Sequence, residues 1–135
     1  MQQQILTVQR HRALTDDVRE LVLTGDLSAV TTPGQFVNVQ LPGFFLRRPI
    51  SVCDFGGGTL TLVYKIVGDG TAALARAVPG DRLDVLTGLG NGYDLTKSGD
   101  RPLLIGGGVG VPPLYGLAKR LTAQGKDVTV ILGFN

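Results

Sequence analysis

Arg47-Arg48-Pro49-Ile50-Ser51-Val52 sets two guanidinium groups beside a proline of fixed φ, then runs into alternating apolar and small polar residues, the pattern of a strand. Arginine presents a planar fork of donors matched to phosphate oxygens. Ser51 adds a hydroxyl that donates or accepts. Alone, the hexapeptide reads equally well as an ordinary barrel strand carrying a solvated arginine pair. Its surroundings decide. A glycine-rich connection over 54–59 leads into a second strand, Thr59-Leu60-Thr61-Leu62-Val63-Tyr64-Lys65-Ile66-Val67. The two form a hairpin, so residues near Ser51 and near Tyr64 become neighbours. Gly68-Asp69-Gly70-Thr71 follows, opening an alanine-rich helix over 72–78 with Thr71 as the expected N-cap. A helix start attracts an anion through its free N–H groups and dipole, and glycine allows close approach. A plain capped turn is the alternative. Two anion-attracting elements on adjacent segments fit a diphosphate.

Outward from this centre the chain is short β segments. Strands are expected over 4–9, 18–23 and 36–41, the last with clean alternation of Val37, Val39 and Leu41 against Phe36, Asn38 and Gln40. Pro79-Gly80-Asp81 stops the helix, and 82–86 returns as a strand. Short strands with one short helix predict a small antiparallel barrel over residues 1–97. Gly88-Leu89-Gly90-Asn91-Gly92-Tyr93 reads either as linker or as the lining of a ligand cleft. From residue 98 the character changes. Pro102-Leu103-Leu104-Ile105 reads as a strand buried on both faces. Gly106-Gly107-Gly108-Val109-Gly110 then leads to a helix from Pro112 to about Gln124 and a strand over 128–132, one βαβ unit. Residues 98–135 are expected to be a partial, truncated α/β domain, since one βαβ unit cannot cover both faces of a parallel sheet. The loop departs from the dinucleotide fingerprint: Val111 takes the third glycine position, and no acidic residue ends the next strand.

Composition removes several function classes. The 135 residues carry a formal charge of +2 with basic residues scattered, which implies neither nucleic acid nor an anionic membrane. No apolar run is long enough to span a bilayer, and the N-terminus lacks the build of a signal peptide. With one cysteine, Cys53, no internal disulfide forms, and a reducing cytoplasm is the expected compartment. His11, the only histidine, has no acid or nucleophile near it in sequence and reads as a solvated turn residue. Metal-ligand spacing is absent.

Together, Arg47-Arg48-Pro49-Ile50-Ser51, Tyr64-Lys65-Ile66-Val67-Gly68-Asp69-Gly70-Thr71, Leu89-Gly90-Asn91-Gly92-Tyr93-Asp94-Leu95 and Gly106-Gly107-Gly108-Val109-Gly110-Val111-Pro112-Pro113 resemble the ferredoxin–NADP reductase superfamily. Within it they are most similar to the electron-transfer subunits of type B dihydroorotate dehydrogenases. The resemblance implies a FAD-binding barrel over 1–97 and a partial NAD-binding domain over 98–135. It implies FAD at Arg48, Pro49, Ile50 and Ser51, with the strand of Val63, Tyr64 and Lys65 along the cofactor and Gly70 and Thr71 at its diphosphate. Gly106, Gly107, Gly108 and Gly110 would serve the nicotinamide nucleotide. It further implies a partner, the FMN-containing catalytic subunit, in a heterotetramer that serves pyrimidine biosynthesis by passing electrons from dihydroorotate to NAD+. Family members hold a 2Fe-2S cluster on a cysteine-rich tail, whose ligands this chain lacks. Thr87-Gly88 also stands where the family has Gly-Pro. A general NAD(P)H–flavin or ferredoxin reductase, and a flavin-binding docking module without turnover, are the competing readings. Self-association through the strand at 128–132 is a further expectation.

Overall fold

The computed structural model describes the whole chain, Met1–Asn135. Six strands, β1 (Gln2–Ala13), β2 (Val18–Thr24), β3 (Phe36–Val39), β4 (Arg48–Gly56), β5 (Thr59–Lys65) and β6 (Arg82–Leu89), close an antiparallel barrel in the order β1-β2-β5-β4-β3-β6. The period of two sorts each strand. In β5, Leu60, Leu62 and Tyr64 point into the core while Thr61, Val63 and Lys65 face outward. The β4–β5 hairpin turns at Gly57 and Gly58, with φ of 61° and 80°; two consecutive positive φ values are what a type I′ turn demands and glycine supplies freely. Between β5 and β6 lies α1 (Asp69–Leu74), whose Leu74 is 1% exposed and fills the end of the barrel. Burying such a side chain is worth about 1.5–3 kcal/mol.

Strand β1 is longer than its sequence pattern suggests. Its first half pairs with β6 and its second half with β2, and the register shifts between Val8 and Arg10. The shift breaks the alternation at that point, which is why the pattern fades at Gln9. His11 accordingly lies in a strand and not in a turn.

Beyond the barrel, β7 (Leu103–Gly107) and β8 (Thr129–Gly133) pair in parallel around α2 (Pro112–Ala123). Leu114, Leu117 and Leu121 form one helical stripe that packs on Leu104. The opposite sheet face is open: Leu103 and Ile105 are 55% and 68% exposed. The strand is therefore not buried on both faces as its apolar run suggests, because only one helix covers this two-stranded sheet. A second side of α2 docks on β4. A Cβ at Gly116 would lie 2.9 Å from the Cys53 carbonyl oxygen, so glycine is what lets the helix touch the strand. Lys119 meets Asp54 at 2.9 Å and the Arg120 guanidinium lies over the Phe55 ring. The docking falls where the β4–β5 register shifts between Val52 and Asp54. No helix is long and apolar enough to cross a membrane.

Candidate functional site

Antiparallel pairing brings the start of β4 beside the end of β5, from which α1 springs. Two arginines stand there with different surroundings. Arg47 ties the fold together: it donates to Asp84 Oδ1 at 2.9 Å, to the carbonyls of Asn38 and Asp84, and to Gln40. Burial opposes ionisation of Asp84, but donors from Gln3 and Arg47 outweigh it and hold the carboxyl below its ordinary value. Arg48 has no carboxylate partner. Its Nη1 donates to the Leu46 carbonyl at 2.5 Å, and its guanidinium lies 5.2 Å from the centre of the Phe44 ring. The same group rests on Gly70, where a Cβ would come within 2.2 Å of Nε and 2.7 Å of Cζ. Gly70 is thus required for space. A free cation against the first turn of a helix concentrates positive potential, and that suits a phosphate or diphosphate.

Thr71 is not the N-cap. The helix begins earlier, with Gly68 in the capping position at φ 145° and Asp69 in the first turn, where its charge complements the dipole. Thr71 sits inside that turn: its Oγ1 accepts from the Val67 N–H at 2.8 Å and donates to the Gly68 carbonyl at 3.3 Å. The hydroxyl therefore pins the loop that presents Gly70.

The outer face of β4 and β5 carries Pro49, Ser51, Val63 and Lys65. Ile50 and Tyr64 turn the other way and are 7% and 4% exposed, so a ligand on the outer face meets them only through backbone. Tyr64 is engaged inside. His11 Nδ1 lies 2.8 Å from the Ala77 carbonyl and must donate to it; Nε2 hydrogen-bonds with the Tyr64 hydroxyl at 2.8 Å. Burial, partly offset by Arg19, pushes the phenol up to about 12. His11 is thus a half-buried strut between β1, β5 and the segment after α1, where the sequence suggested a solvated turn residue. Its partners lie 53 and 66 residues away, beyond the reach of any local pattern.

The segment from Gly88 to Tyr93 is packed, not slack. Tyr93 covers Gly34, its N–H donates to the Pro33 carbonyl at 2.8 Å, and Gly90 abuts the Phe36 ring. Phe36 is itself the cross-strand partner of Ser51. Phe36 and Phe44 are the residues at this site that motif reading missed. In the second unit, a Cβ at Gly106 would meet Leu114 Cδ1 at 2.6 Å, so this glycine serves helix–strand packing. Gly107, Gly108 and Gly110 are exposed, and Gly108 takes φ +54° in a short 3-10 turn. Pro112 and Pro113 bring no N–H to the start of α2, which leaves the glycine loop as the source of free N–H groups there. Cys53 is half-buried, and burial followed by the charges of Asp54 and Glu20 raises its thiol to about 11. That is the opposite of a metal-binding thiolate.

No protein-family model matches the chain. It is 45% identical to the dihydroorotate dehydrogenase B (NAD(+)) electron transfer subunit of Geobacillus sp. (strain WCH70), over 99% of this chain and 55% of the relative. It is 47% identical to the subunit of the same name from Bacillus caldolyticus, over 96% of this chain and 53% of that one. Among solved structures, an NADH-dependent reduced ferredoxin-NADP oxidoreductase known for flavin-based electron bifurcation superposes with a TM-score of 0.87 at 32% identity, over 96% of this chain and 48% of that one. The ferredoxin reductase of carbazole 1,9a-dioxygenase superposes with a TM-score of 0.88 at 25% identity, over 99% and 43%. The chain spans about half the length of the curated relatives it matches.

Proposed function

Because this chain is a homologue of the electron transfer subunit of dihydroorotate dehydrogenase B along the half of that subunit it spans, and has the barrel of the ferredoxin reductases, we propose that it holds FAD and links an FMN-containing catalytic partner to NAD+ in the cytoplasm. The observation that carries this reading is the meeting of Arg48 and Gly70, 22 residues apart in sequence, with the guanidinium lacking any acidic partner. The residues present fit the flavin. Arg48 neutralises a phosphate, Thr71 fixes the turn at which that phosphate arrives, and Ser51 offers a hydroxyl on the open strand face beside Val63 and Lys65. Bound FAD supplies chemistry in one- and two-electron steps, which is what joins a flavin partner to a nicotinamide. In this reading residues 1–97 bind FAD and residues 98–135 contribute the glycine loop, Gly106 to Gly110, to nicotinamide binding. An iron–sulfur cluster does not fit the single cysteine, and no step is assigned to one.

Titrating the purified chain with FAD tests the assignment. Arg48→Ala should weaken binding by about 1.5–3 kcal/mol, the worth of a charge-assisted contact; equal affinity in the variant and the wild type would remove the proposed site. A general NAD(P)H–flavin reductase is the second reading, favoured by the likeness to an NADH-dependent oxidoreductase. Co-purification with an FMN-containing subunit separates it from the first.

A further inference from the structure

We infer that Phe44 is the positioning residue of the phosphate clamp: its ring holds the Arg48 guanidinium against Gly70, in the attitude that receives a flavin phosphate. This rests on the FAD reading above. An arginine side chain carries about 2 kcal/mol of rotamer entropy, so a preset guanidinium needs something to hold it. Three contacts do so, namely the Phe44 ring at 5.2 Å, the Leu46 carbonyl at 2.5 Å and the Gly70 backbone. None is a carboxylate. The charge is therefore oriented without being neutralised, whereas that of Arg47 is spent on Asp84. A ring face attracts the cation without neutralising it, so the charge stays available to an anion.

Phe44 is itself anchored. It packs half-buried against the barrel core, and its N–H donates to the Leu41 carbonyl at 3.1 Å. Its neighbours in the same loop are not: Phe45 is 98% exposed and Leu46 67%. Of three consecutive large apolar residues only Phe44 folds back, and it folds onto the one unpaired arginine at the site. Nothing in the spacing of Phe44-Phe45-Leu46 distinguishes the first from the second.

The test is titration of the full chain with FAD and, separately, with riboflavin, which has no phosphate. Phe44→Leu should weaken FAD binding about three- to thirtyfold, the span of cation–π energies from exposed to desolvated sites, and leave riboflavin binding unchanged. Phe44→Tyr should restore FAD affinity. In an Arg48→Ala background, Phe44→Leu should cost nothing further. The inference is overturned if Phe44→Leu binds FAD like the wild type, or if it weakens FAD and riboflavin alike, which would make Phe44 a support of the barrel end. Should Arg48→Ala itself leave FAD affinity untouched, the FAD site fails, and the role of Phe44 fails with it.

Discussion

Arg47 reaches Asp84 at 2.9 Å while Arg48 reaches no acid, although the two are adjacent and chemically identical. Their partners come from residues far along the chain, so the motif names the pair and the fold assigns the roles. Thr71 shows the same division. Its type and place beside Gly70 were legible, but the expected cap was one turn too late, since Asp69 rewards an earlier helix start. The hydroxyl now bridges Val67 and Gly68. Thr71→Ala should therefore lower unfolding stability by about 1 kcal/mol and loosen FAD, with Thr71→Ser recovering both. Denaturant titrations of the three proteins decide it; an alanine variant as stable as the wild type would show that the bridge contributes nothing.

At the scale of elements, the ion pair of Arg47 and Asp84 ties the loop before β4 to β6. The Asp84 pKa is lowered in the folded state, so its contribution is present above the ordinary carboxylate value of 3.8 and is lost as pH falls through the lower folded value. Asp84→Asn should cost about 1–2 kcal/mol near neutrality, and the gap should close as the medium becomes more acid than pH 3.8. Urea unfolding at neutral and acid pH measures this, and a gap that persists in acid would contradict it. Elements were readable where local chemistry is decisive. The glycine-rich connection over 54–59 announces the hairpin, and the prolines at 112 and 113 after the glycine loop announce α2. Contacts between elements were not. The strut from His11 to Tyr64 and Ala77, the ring of Phe44 on Arg48 and the seat of Gly116 on Cys53 join residues without a shared sequence period. The open face of β7 was misread because an apolar run records what a strand can bury and not what covers it.

As a whole molecule the chain is a closed barrel with a βαβ unit seated on one of its strands. β4 carries Arg48 and Ser51 toward one end and the α2 docking residues Cys53, Asp54 and Phe55 toward the other. The strand that carries the proposed flavin residues is thus also the seat of α2, the helix that follows the glycine loop. The requirement of the flavin site is the junction of Arg48 with Gly70, which exists only when hairpin, loop and helix are assembled. Gly70→Ala addresses that junction with a single methyl group. The added Cβ would overlap the Arg48 guanidinium at 2.2–2.7 Å, and a flexible arginine tip can swing away without harm to the fold. Alanine also favours a helix over glycine by about 1 kcal/mol. The deciding measurement is FAD affinity of Gly70→Ala beside its melting temperature. The account predicts a melting temperature equal to or above that of the wild type, with FAD affinity lower by about tenfold or more. A variant that binds FAD as tightly as the wild type would contradict the placement of the cofactor phosphates at Arg48 and Gly70.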